Sequence, residues 1–169
     1  MSTMAHPAKT RRCKFLACPF FFPEQKLDDG RWLHPARLPL GAGWSGRCLA
    51  PGYEGQSPSD EELHQFCNLG YARCCPRLPK DRSADAVRFS VARDCGDRVV
   101  LFCVFELAHR PAGDGNLEYD CSSGQWFSSH PDARVQQMAQ CYLESYMLRR
   151  SSPQVLTSIA RVSSANNEE

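Results

Sequence analysis

Ten cysteines in a chain of 169 residues constrain this sequence more than any other feature. Thiols at that density belong to small secreted disulfide scaffolds, or to proteins whose thiolates bind something. Compartment decides between the two. Lys9, Arg11, Arg12 and Lys14 followed by the apolar stretch Phe15 to Phe22 mimic a signal peptide, but that stretch is only eight residues long. It is interrupted by Pro19, contains Cys18, lacks a small-x-small cleavage site and runs straight into Glu24, Lys26, Asp28 and Asp29. No run approaches the roughly 18 apolar residues that span a bilayer. The expectation is a cytoplasmic, non-membrane protein, in which ten thiols mean metal ligation, redox chemistry or burial.

The cysteines are unevenly placed. Six lie between Cys13 and Pro79, together with eight prolines and seven glycines. That stretch shows little strand alternation and reads as loop-rich, so a metal is expected to staple it. Residues 1–12 read as a flexible lead-in, 13–80 as a Cys-rich metal-binding region, 81–150 as a small antiparallel sheet with a C-terminal helix, and 151–169 as a disordered tail. The fold class expected is α+β.

Local signals place several elements. Ser57-Pro58-Ser59-Asp60-Glu61-Glu62 carries a capping Ser, acidic first-turn residues and the Ser59/Glu62 spacing of a capping box, so a helix begins there and Gly70 stops it. Leu63, Phe66 and Cys67 share its inner face. Val87, Phe89 and Val91 alternate with Arg88 and Ser90, and Asp94-Cys95-Gly96-Asp97 supplies a turn. A second strand follows over Val99 to Leu107, and a third over Leu117 to Cys121 after a Gly-rich loop, Pro111 to Asn116. The sheet is expected to have about three strands. Val135, Met138, Ala139, Tyr142, Leu143, Tyr146 and Met147 follow helical spacing to Arg149-Arg150, with Pro131 near the start, giving an amphipathic helix to pack on the sheet.

The densest thiol constellation is Cys67-Asn68-Leu69-Gly70-Tyr71-Ala72-Arg73-Cys74-Cys75-Pro76, in which a helix end folds back with sulfur on both sides. Proline after a ligand cysteine rigidifies the exit of the chain, and the four-cysteine ferredoxin run ends in such a pair. Cys18-Pro19 repeats the dipeptide. Cys48, flanked by Gly46 and by the Pro51-Gly52 turn, stands where backbone amides can approach sulfur. The expected ligands are Cys18, Cys48, Cys67 and Cys75, with Cys13 and Cys74 as substitutes. Zinc ribbons and fingers show paired C-x₂-C knuckles, which this chain lacks, so an iron–sulfur cluster of the [4Fe-4S] kind is favoured over zinc.

Other thiols read differently. Cys103 shares a strand face with Val99, Leu101 and Phe105, and Cys141 lies beside the helix stripe, so both read as small core hydrophobes. Cys95 sits in an exposed turn, and Cys121 is a marginal ligand at a strand edge. His64, one turn before Cys67, reads as a solvated helix residue or a partner to a ligand sulfur. Phe20, Phe21, Phe22, Trp32 and Trp44 crowd the same half beside Arg31, Arg37 and Arg47. These suit a dry shell around a cluster; a net charge of +1 argues against a nucleic-acid platform. No P-loop, dinucleotide-binding glycine pattern, nucleophile elbow or HExxH is present. The functional expectation is an iron–sulfur protein in electron transfer or redox sensing, with a redox or protein partner. A zinc-stapled interaction module and a metal-dependent enzyme or enzyme accessory are the alternatives.

Overall fold

The computed structural model of the protein describes residues 16–28, 30–69 and 75–152. The expected lead-in and tail, Cys13, Cys74 and the Gly70 helix stop lie outside the described residues. The class is α+β, built on two antiparallel sheets and a C-terminal helix.

Strands β1 (Phe21–Leu27) and β2 (Gly43–Cys48) pair antiparallel. The stretch read from sequence as irregular therefore contains a ladder, and three residues hid it. Pro23 sits at the β1 bulge, where its missing N–H breaks no regular ladder bond. Gly46 packs against the Phe22 carbonyl, and Gly43 lies under the Trp32 ring, with no room for a Cβ at either. Close backbone approach, not flexibility, explains these glycines.

After a short 3₁₀ turn at Pro35–Arg37 and strand β2, helix α1 (Asp60–Glu62) opens on a capping box and runs on as a single π-helical turn, Leu63–Cys67. The Glu62 amide donates to the Ser59 Oγ at 3.2 Å, while the Ser59 amide donates to Glu62 Oε2 at 2.7 Å. Both orphan donors of the first turn are satisfied within four residues, which is why this start was legible locally.

Strands β3 (Ala86–Asp94), β4 (Arg98–Leu107), β5 (Arg110–Asp120) and β6 (Gln125–Ser128) form a four-stranded meander in sequence order. The expected three-strand count and the expected Pro111–Asn116 loop are corrected here: 111–116 is the body of β5. The turn sits instead at Ala108-His109, with φ of 48° and 65°. No glycine marks it, although left-handed backbone is costly for other residues. Asp85 Oδ2 stabilises it by accepting from the Ala108 amide at 2.7 Å.

Helix α2 (Ala133–Arg150) is capped by Asp132, whose carboxylate accepts from the Arg134 amide at 2.9 Å. It lies across both sheets. Val135, Met138, Ala139 and Leu143 enter one buried cluster with Phe21, Trp44 and Leu63 from the front half and Val87, Leu101 and Leu117 from the meander. Tyr142 stacks on Phe89 with ring centroids 5.9 Å apart, and Gln137 Nε2 donates to the Pro23 carbonyl at 3.0 Å. Just before β1, Ala17 exchanges two backbone hydrogen bonds with Val87, fastening the Cys18 segment to β3.

Candidate metal centre

Four chain segments bring Cys18, Cys48, Cys67 and Cys75 to the lining of one cavity. These are the four expected ligands. They arrive by three local devices, one of them used twice.

Cys18 and Cys75 use the same one. In Cys18-Pro19-Phe20-Phe21 the Phe21 amide donates to the Cys18 carbonyl at 3.1 Å, and in Cys75-Pro76-Arg77-Leu78 the Leu78 amide donates to the Cys75 carbonyl at 3.1 Å. Proline presets the second position of each turn. The turn then aims the amide two residues on at the sulfur: Phe20, with Phe21, toward Cys18, and Arg77 toward Cys75. Such N–H groups favour a thiolate over a thiol.

Cys48 ends β2, and its backbone is clamped on both sides. Its amide donates to the Gln56 carbonyl at 2.8 Å, and its carbonyl accepts from Gly55 at 2.9 Å. The returning loop needs left-handed backbone at Gly52 and Gly55, with φ of 84° and 78°.

Cys67 closes the π-helical turn. The residue that fixes it is Asn68, only 4% exposed, which no sequence motif announced. Its Oδ1 accepts from the Trp44 amide at 2.8 Å, and its Nδ2 donates to the Trp44 and Leu63 carbonyls at 2.9 and 3.0 Å. One side chain thus ties the helix end to β2 beside Cys48. A buried amide with three partners on two elements is a rigid joint.

The walls are apolar where they are not sulfur. Phe20, Phe21 and Phe66 line the cavity with Pro58, and Glu62 and Arg77 supply the charged pair at its side. Arg77 Nε and Nη2 donate to the two Glu62 carboxylate oxygens at 2.8 and 2.7 Å, a bidentate fork, and the guanidinium lies 5.2 Å from the centre of the Tyr53 ring.

The electrostatics follow from this dryness. Burial pushes the Cys18 thiol up to about 12, against its amide donors, and the Cys75 and Cys48 sulfurs push the same way. Cys67 is raised by burial and then by Cys18, Cys75 and Cys48. Burial raises Cys75 as well. Three of the four are held protonated by the absence of water and by one another, so ionising the set requires a compensating cation among them.

The free space of this cavity is about 20 Å³, little more than one water-sized sphere. Among the described residues, no group of three or more His, Cys, Asp or Glu side chains is drawn close enough to hold a metal ion as the side chains stand.

The remaining candidates lie elsewhere. Cys103 and Cys141 are buried in the sheet and helix core, Cys95 is exposed in its turn, and Cys121 packs half-buried against the core edge. His64 stacks on Trp32, 5.4 Å between centroids, with Nε2 3.4 Å from the Arg31 carbonyl oxygen, and does not line the cavity. Phe20 and Phe21 are cavity wall, but Trp44 belongs to the core and Phe22 stacks under Arg47.

Comparison of the chain with protein-family models, with curated proteins and with solved structures gives no match. No helix among the described residues is long and apolar enough to cross a membrane.

Proposed function

We propose that the four cysteines hold an iron–sulfur cluster of the [4Fe-4S] kind and that the protein acts in one-electron transfer or redox sensing. The observation that carries this reading is the meeting of Cys18, Cys48, Cys67 and Cys75, from sequence positions up to 57 residues apart, on one apolar cavity. The donor set is all thiol, which suits iron–sulfur ligation and leaves no carboxylate or imidazole to compete, since Glu62 is committed to Arg77.

One further feature supports a bound group over plain burial. Core thiols do not gather, because each gains only what a small hydrophobe gains. A polynuclear cluster separates its four thiolates more widely than one ion does. Four thiols lining one cavity, with no C-x₂-C knuckle among them, suit such a cluster better than a single zinc, whose bonds to sulfur are about 2.3 Å.

When bound, such a group supplies a one-electron redox couple. The chain's part is to keep water away with Phe20, Phe21 and Phe66, and to direct amide N–H groups at the sulfurs, two of the levers by which proteins set a cluster's potential.

The test is anaerobic purification of the full chain followed by iron, labile sulfide and zinc analysis and a visible spectrum. About four irons and four sulfides per chain, in a brown protein bleached by dithionite, are expected. A colourless chain with one zinc selects the stapled interaction module instead. A cooperatively folded chain that takes up neither metal sinks both.

A further inference from the structure

Arg77 is placed unlike any other cation in the described chain. It is drawn into the wall of the thiol cavity, half-buried, and two of its three guanidinium nitrogens are spent on Glu62. The third, Nη1, is buried with no hydrogen-bond partner. Leaving a charged donor dry and unpaired is unfavourable, and native structures rarely tolerate it without a reason. Beyond Glu62, the guanidinium interacts with the Cys48 side chain, by charge and by a side-chain hydrogen bond.

Glu62 explains how the cation is held there. Its carboxylate closes the capping box at the start of the segment that ends in Cys67, and its fork fixes Arg77, two residues beyond Cys75. The Ser59 amide and Arg77 together hold that carboxylate below its ordinary range. One ion pair thus joins the segments that deliver two of the four thiols and leaves a guanidinium N–H over to serve the sulfurs.

Resting on the cluster reading above, we propose that Arg77 is the charge-setting residue of the site: its Nη1 donates to a ligand sulfur, and its positive charge, partly offset by Glu62, stabilises the more negative reduced state of the cluster. Four thiolates around a cluster carry net negative charge, which grows by one on reduction. A fixed cation a few ångströms away in a dry wall favours the added electron, and a fixed anion opposes it. The two members of the pair therefore act with opposite sign. A purely structural fork would not, because breaking it from either side removes the same bonds.

The experiment is a dithionite titration of the anaerobic full-length protein and of R77K, R77M and E62Q, with iron and sulfide content measured on each. Dithionite supplies one electron per cluster, and no bond need form or break. In R77M the reduced-to-oxidised ratio at fixed solution potential should fall at least about tenfold, which is about 59 mV for one electron. E62Q, which leaves the cation unopposed, should move it the other way, and R77K, which keeps the charge but loses the fork and the Nη1 donor, should fall between wild type and R77M. If R77M loses its iron, the sign of the E62Q shift decides, and a downward or absent shift overturns the assignment. Iron-loaded variants that all share the wild-type potential also overturn it, while leaving the cluster reading intact. A wild-type chain without iron removes both together.

Discussion

Among the described residues, the thiols of the cavity and those of the core form two groups that differ chiefly in company. Cys103 and Cys141, in the meander and helix α2, are as dry as Cys18, and burial drives Cys141 up to about 12 just as it does Cys18. Yet each stands alone. The Cys103 thiol donates to the Gly115 carbonyl at 3.5 Å, and Cys141 has only a distant amide contact, Gln137 Nε2 at 3.9 Å. The front four line one cavity, Cys18, Cys67 and Cys75 are each raised in part by neighbouring sulfurs, and two of the four sit in Cys-Pro turns with amides aimed at sulfur. Burial and a raised pKa therefore do not identify a ligand. Convergence on one cavity does.

The sharpest way to break this comparison is to remove the thiols of each group. Alanine at Cys18, Cys48, Cys67 or Cys75 should each cut iron bound per chain by about tenfold or more, since a cluster site loses one of four anchors. C103A and C141A should bind iron at the wild-type stoichiometry, with a stability loss of about 1–2 kcal/mol seen in denaturant melts. Iron loss spread evenly over all six variants would dissolve the distinction.

Removing the metal should then separate the two regions without mutation. With a chelator present, amide hydrogen exchange should accelerate about tenfold or more at Cys48, Gly55 and Gln56, which rest on the site. Val99, Leu101 and Cys103, fully buried in the central strand, should keep their protection.

Energetic size should also differ by region. Met138→Ala empties a position with no exposed surface where α2 meets the sheet and should cost about 2–5 kcal/mol, with iron per folded chain unchanged. Asn68→Ala leaves the Trp44 amide and carbonyl unsatisfied and should cost about 2 kcal/mol. It should also weaken iron retention against chelator, because the joint holding Cys67 to β2 is gone. Equal effects of the two on iron would show that the site depends on the core as a whole and not on its own clamps.

The smallest expected effect concerns acid. Asp94 accepts from the Tyr146 hydroxyl at 2.6 Å and pairs with Arg150, and Asp132 is held by Arg134; both carboxylates lie below their ordinary range in the folded protein. Their stabilisation is complete above the unfolded value near 4 and is lost as pH falls through the lower folded values. Each pair is partly exposed, so D94N should flatten the acid limb of a pH-stability curve by no more than about 1 kcal/mol. A mid-pH effect would contradict this assignment.

How much could be read in advance varied with the range of the signal. The Ser59/Glu62 box, the Val87-Phe89-Val91 alternation, the Gly96 turn and the α2 stripe were legible because each is settled within a few residues by capping, pleat or helical period. Strand β1 was hidden by Pro23 at its bulge, and β5 by Gly113 and Gly115, which made its first half read as a loop. Asn68 carried no signal at all, since its partners at Trp44 lie 24 residues away.

Sequence by itself determined the inventory: which residues carry sulfur, where proline forces a turn after Cys18 and Cys75, and which faces are apolar, all properties of residue type and near neighbours. Only the tertiary structure decided which thiols meet. Convergence of Cys18, Cys48, Cys67 and Cys75 depends on the β1–β2 ladder, the Ala17–Val87 bridge and the Asn68 clamp acting together. Those are contacts between segments far apart in the chain, and no local preference encodes them.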